Sequence, residues 1–136
     1  MPVCVLDASV AIALLIEEDR SEEARAIVRH IIDDCAEVPG LWYFEVGNVL
    51  LVAERRRALT AAARRDHLQD LARLPIVIDH EATGHVWGDT MALAERHGLS
   101  LYDASYLELS QRRQLPLASF DAALRRAARA TNVPLL

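Results

Sequence analysis

The 136-residue chain contains no lysine; all fifteen of its basic residues are arginine. Any mechanism that needs a catalytic or phosphate-gripping lysine is therefore excluded. Cysteine is nearly absent. Cys4 and Cys35 stand apart with no CxxC spacing, so reduced thiols of a cytosolic protein are expected and a disulfide framework or thiolate zinc site is not. No apolar run approaches the roughly 18 residues that a membrane span requires. The opening MPVCVLD lacks a basic region and meets an acid almost at once, unlike a signal peptide. No membrane association is expected, and the expected location is the cytoplasm.

Broad positive charge is missing too. A net charge of −5 argues against a surface coated for nucleic acid. It leaves room for a local groove, because arginines cluster at Arg55-Arg56-Arg57, Arg64-Arg65, Arg112-Arg113 and Arg125-Arg126. The simplest reading of each cluster is a solvated helix face. Neither GxxxxGK[ST] nor GxGxxG occurs, which leaves nucleotide-triphosphate and dinucleotide sites without support. HExxH is also absent. His80 and His85 flank Glu81, but a spacing of five does not stack on a helix face, so a zinc site is not expected.

What is present is a 52% hydrophobic chain of a length that suits one domain, residues 1–136, around one core. VCVL (3–6) is a short apolar run ending at Asp7, as a buried parallel strand would. ASVAIALLI and SEEARAIVRHIIDD follow as helices, the latter with Cys35 just past its end. Val38-Pro39-Gly40 leaves room for a short second strand. LWYFEVGNVLLVAERRRA is helical but apolar nearly all round, which suggests burial on two sides, one against a second copy of the chain. Thr60 caps the next helix, and Pro75 stops it. IVID (76–79) is a strand, Glu81 to His97 a helix closed by Gly98, and PLASFD a strand ending near Ser119. VPLL is a last edge strand. Strands alternating with helices predict a three-layer α/β fold whose central, mostly parallel sheet is flanked by helices.

In such sheets ligands bind beside the carboxyl ends of strands. Asp7 ends the first strand, Asp103 opens the helix after Ser100, and Asp121 follows PLAS. Glu45 lies early in the long apolar helix, with Asn48 three residues on along one face. Capping explains Asp103 locally, since Ser100 and Asp103 resemble a capping box. It does not explain Asp7 and Glu45, which interrupt apolar runs. Four converging carboxylates would repel one another, and a divalent cation relieves that repulsion. Carboxylates without thiolates or paired histidines suit Mg²⁺ or Mn²⁺.

The segments VLDASV, FEVGNVL, LSLYDASYLELSQRRQLPLASFD and LRRAARATNV, in that order, resemble PIN-domain ribonucleases, above all the VapC toxins of toxin–antitoxin pairs. The resemblance implies that Asp7, Glu45, Asp103 and Asp121 are the acidic quartet. Ser9 matches the small hydroxyl residue after the first acid, and Asn48 the asparagine after the glutamate. Ser119 stands where threonine is more usual, with the hydroxyl kept. The implied activity is a Mg²⁺-dependent endoribonuclease, with Asp7 and Asp103 as direct ligands and Glu45 and Asp121 binding a second ion or ordering water. Ser9, Asn48 and Ser119 would orient them. Arg112 and Arg113 are candidate RNA-phosphate contacts. The implied partners are an RNA substrate, a cognate antitoxin and a second copy of the chain. A receiver-type phosphoacceptor would need a lysine, and a haloacid-dehalogenase-type phosphatase a second Asp where Ser9 stands. The remaining rival is a silent PIN-like module that binds protein or RNA without cutting.

Overall fold

The computed structural model describes residues 1–16 and 18–136. Four strands, β1 (Pro2–Leu6), β2 (Cys35–Pro39), β3 (Ile76–Asp79) and β4 (Leu117–Ala118), form one parallel sheet in the order β3-β2-β1-β4. The flanking helices are α1 (Ala8–Leu15), α2 (Ser21–Ile31), α3 (Leu41–Arg55), α4 (Ala61–Ala72), α5 (Met91–His97), α6 (Leu101–Arg113) and α7 (Ala122–Ala130). The predicted α/β architecture with a central parallel sheet is the one observed. After β1 the chain builds outward on one side through β2 and β3, then crosses back to place β4 on the other side. The direction of growth thus reverses between β1 and β4, and the crevice at their carboxyl ends is where such sheets bind ligands.

Local signals account for several element ends. The Thr60 hydroxyl accepts from the Ala63 N–H at 3.0 Å and starts α4. Ser100 accepts from the Asp103 N–H at 3.0 Å and starts α6. Gly98 closes α5 in the left-handed region at φ 63°, where a side chain would be strained. The most enclosed helix is α6, buried without interruption from Ala104 to Ser110 against β1 and β2. Its Leu107 and Leu109 join Val5, Leu6, Val38 and Leu117 in the core, each contributing about 1.5–3 kcal/mol through burial. Helix α3 is less enclosed than its composition suggested. It buries Trp42, Val46 and Leu50 but leaves Phe44 82% and Tyr43 47% exposed.

Three expectations need correcting. Glu81 to His97 is not one helix: a 3₁₀ turn (Ala82–His85) and a π turn (Val86–Thr90) precede α5. Gly88 breaks the path at φ −109°, ψ −105°, and two glycines four residues apart weaken a continuous helix there. Cys35 opens β2 instead of following a helix end, because α2 already stops at Ile31. VPLL makes only a single bridge, Leu135 to Leu117. Both cysteines are free, and burial, with Cys35 nearby, raises the Cys4 thiol to about 12.

Candidate active site

Asp7 is the first residue beyond β1 and lies almost wholly buried, 3% exposed, at the crevice between β1 and β4. The Ser9 hydroxyl donates to its Oδ2 at 2.6 Å and the Ser119 hydroxyl to the same oxygen at 2.7 Å. Ser9 in turn accepts from the Phe120 N–H at 2.9 Å, and Ser119 from the Asp121 N–H at 3.1 Å. The turn after β1 and the turn after β4 are therefore stitched together through one carboxylate. Asp121 also caps α7, its Oδ2 accepting from the Leu124 N–H at 2.8 Å.

Glu45 approaches from α3. The Tyr106 hydroxyl of α6 donates to its Oε1 at 2.7 Å. Tyr106 is fully buried, and its hydroxyl supplies the bond that lets Glu45 sit half-buried without an arginine. The spacing of Tyr106 from Asp103 shows a shared helix face, but its role toward Glu45, 61 residues away, was not visible in the sequence. Asn48 lies one turn beyond Glu45 and is exposed.

The electrostatics tie the acids together. Burial pushes the Asp7 carboxyl up, the Ser9 and Ser119 hydroxyls pull it down, and Asp121 pushes it up again. Burial also raises Glu45; Tyr106 offsets part of this, and Asp7 and Asp103 add to it. Asp103 is raised from 3.8 to about 6 by burial and by the charges of Asp7 and Asp121, against the opposing pull of Ser100. Charge interactions thus link Asp7 to Asp121, Asp103 to Asp7 and Asp121, and Glu45 to Asp7 and Asp103, although the four acids come from separate stretches of chain. Among the described residues no three acidic, histidine or cysteine side chains are already gathered as a metal-binding group. The quartet meets through its fields, not as a closed set of ligands. The donors themselves are hard oxygens in mutual repulsion, the chemistry that suits a divalent cation.

The arginines at the far end of α6 are engaged differently from expectation. Arg112 pairs with Asp79, Glu108 and Glu81. Arg113 pairs with Glu37, Asp79 and Glu81. Burial favours a neutral Asp79, yet the Arg112 hydrogen bond, the Glu81 N–H and both guanidinium charges hold its carboxyl below 3.8. Asp79 and Glu108 are buried, so these pairs neutralise charge that the fold has taken out of water. Their occupied forks also lie about 14 Å along the helix from Asp103, at ~1.5 Å per residue. These engagements lend no support to the reading of Arg112 and Arg113 as RNA-phosphate contacts. His80, Glu81 and His85 form no metal group either; Nδ1 of His85 lies 3.8 Å from Glu108.

Asp7 and Asp121 beside the carboxyl ends of β1 and β4, with Glu45 and Asp103 electrostatically coupled to them, define an α/β protein with an acidic crevice where its parallel sheet reverses its growth. Comparison with known proteins gives the family. The PIN domain model matches residues 4–130, and the chain belongs to that family. It is 32% identical over 113 residues to Ribonuclease VapC3 of Pyrobaculum aerophilum, covering 79% of this chain and 81% of that protein. The crystal structure of PAE2754 from Pyrobaculum aerophilum superposes with a TM-score of 0.67 at 25% identity, over 93% of this chain and 84% of the other. VapBC2 from Rickettsia felis, bound to a DNA fragment from its promoter, shares the fold with a TM-score of 0.68 at 12% identity, over 97% and 96% of the two chains.

Proposed function

We propose that this chain is a divalent-metal-dependent endoribonuclease, the toxin half of a toxin–antitoxin pair, acting in the cytoplasm. The observation that carries the reading is the shared field of Asp7, Glu45, Asp103 and Asp121, which leaves excess negative charge at the crevice. Kinship to a protein named a ribonuclease supports RNA as the substrate. Asp7 and Asp103 are the proposed direct ligands of Mg²⁺ or Mn²⁺, with Glu45 and Asp121 holding a second ion or ordering water. When bound, such an ion supplies positive charge to phosphoryl oxygens and lowers the pKa of water.

The chain's own residues do the positioning. Ser9 and Ser119 hold the Asp7 carboxylate from two turns at once, which fixes its direction. Tyr106 does the same for Glu45. Asp103, titrating near 6 in the ion-free protein, must give up its proton before the quartet can ligate. Asn48, one turn beyond Glu45, is assigned to ordering water at the edge of the site.

Incubating purified protein with total cellular RNA, with and without chelator, and mapping the new ends tests the reading. New internal ends that vanish with chelator support it. Binding without cleavage in both Mg²⁺ and Mn²⁺ would instead identify the silent module. Phe44, Tyr43, Trp87 at 90% exposure and Tyr102 at 66% leave aromatic surface uncovered, which supports protein partners. We assign it to a homodimer and a cognate antitoxin. Light scattering at micromolar concentration should give twice the 15.1 kDa chain mass, and a monomer would remove the homodimer.

A further inference from the structure

A second charged feature lies beside the acids. Helix α7 buries Leu124, Ala127 and Ala128 and turns Arg125, Arg126 and Arg129 the other way. These three, with Arg20, line a groove of about 320 Å³ in which Glu23 is the one acidic wall residue among the described residues. Its floor is the turn that serves the candidate active site. Arg125 donates to the Ser119 carbonyl at 2.8 Å and Arg20 to the Phe120 carbonyl at 3.1 Å. The Arg20 guanidinium also sits 5.1 Å from the centre of the Phe120 ring. Arg20 and Arg125 are thereby fixed as walls. Arg126 and Arg129 are exposed and, unlike Arg112 and Arg113, make no ion pair among the described residues.

We propose that this groove binds the sugar–phosphate backbone of RNA adjoining the bond to be cut, with Arg126 and Arg129 as its exposed phosphate contacts. The proposal rests on the ribonuclease reading and deepens it. A net-acidic protein must attract a polyanion locally, and this groove borders Asp121 at Phe120 and Ala122, with its first α7 arginine, Arg125, one helical turn on. From Asp121 to Arg129 α7 runs about 12 Å, the rise of roughly three to four stacked nucleotides. Arginine forks match phosphate oxygens, and a strand whose reacting phosphate lies at the acids lays its next phosphates along this wall. An acidic protein segment would need no such continuity with the acids.

The test uses a fluorescein-labelled single-stranded RNA of mixed sequence and fluorescence anisotropy across a salt series, in chelator so that the strand survives. The variants are Arg126→Ala/Arg129→Ala and an equal-charge control, Arg65→Ala/Arg96→Ala. Alanine at exposed helix positions favours helix, so folding is preserved. The groove variant should flatten the slope of log K against log salt by about 1.4, at ~0.7 per lost phosphate contact. The control should leave the slope nearly unchanged. With metal restored, the groove variant should cut more weakly through a raised KM. Equal slopes and equal KM in the groove variant and wild type overturn the groove while leaving cleavage intact. Loss of antitoxin binding without any change of slope overturns it as well, in favour of a protein occupant. If wild type cuts no RNA with any metal yet the slope still falls in the groove variant, the groove stands and the ribonuclease reading fails.

Discussion

Replacing Asp103 by Asn should make the ion-free protein more stable while damaging its function. Burial and the charges of Asp7 and Asp121 raise this carboxyl from 3.8 to about 6. Ionised Asp103 therefore works against folding. At about 1.36 kcal/mol per tenfold the raw cost is about 3 kcal/mol. Asp103 is only partly buried, and solvent screening reduces this to about 1–2 kcal/mol. The favourable interaction of an anion with the first turn of α6, about 0.3–1 kcal/mol, is lost in Asn and offsets part of the gain. About 1 kcal/mol remains, or roughly 3–5 °C in melting temperature for a chain of this size. The sign with pH follows from a folded pKa above the unfolded one. Below about pH 4 Asp103 is protonated in both states and costs nothing; the cost grows through pH 4–6 and is complete above. Thermal melts of wild type and Asp103→Asn in chelator should thus coincide near pH 4 and separate by pH 7. Saturating Mn²⁺ should close or reverse the gap, because the intact quartet binds the ion more tightly. A variant no more stable than wild type at pH 7, or a gap independent of pH, would refute the crowding of charge at this site.

Arg112→Ala leaves buried Glu108 without a guanidinium and buried Asp79 with Arg113 alone, and should cost about 3 kcal/mol, read as a fall of roughly 10 °C in a thermal melt. A loss below about 1 kcal/mol would show the network to be slack. Ser119→Ala removes one donor to Asp7 and the acceptor of the Asp121 N–H; cleavage should drop about 10–100-fold while the fold persists by circular dichroism. Unchanged turnover would show that Ser9 alone orients Asp7. Tyr106→Phe should cost about 1–3 kcal/mol in denaturant titration, because Glu45 loses the hydroxyl that satisfies it.

What the sequence revealed and what it hid divide by distance along the chain. β1, β3 and the caps at Thr60, Ser100 and Gly98 are written in neighbours one to four residues apart, and each forms as read. Asp7, Asp103 and Asp121 could be placed together because a parallel sheet must bring its carboxyl ends to one edge. The partners of Arg112 and Arg113 could not be seen. Arg113 finds Glu37 76 residues away, and Arg112 finds Asp79 33 residues away. An exposed-looking pair of arginines at a helix end gives no sign of buried carboxylates waiting on β2 and β3. The kink at Gly88 had a local signal in Gly84 and Gly88, but the apolar spacing on either side continues as though the helix did. Asp103 carries both of its readings: Ser100 starts the helix there, and the same carboxylate is crowded by Asp7 and Asp121.

Single-turnover cleavage of one end-labelled RNA, comparing wild type with Asp7→Asn in Mn²⁺, weighs the central claim most directly. The substitution keeps the size of the side chain that Ser9 and Ser119 hold, but removes the charge at the middle of the quartet. A rate at least about 100-fold lower, with chelator abolishing cleavage by wild type, is the predicted outcome. Cleavage by Asp7→Asn at the wild-type rate would contradict it.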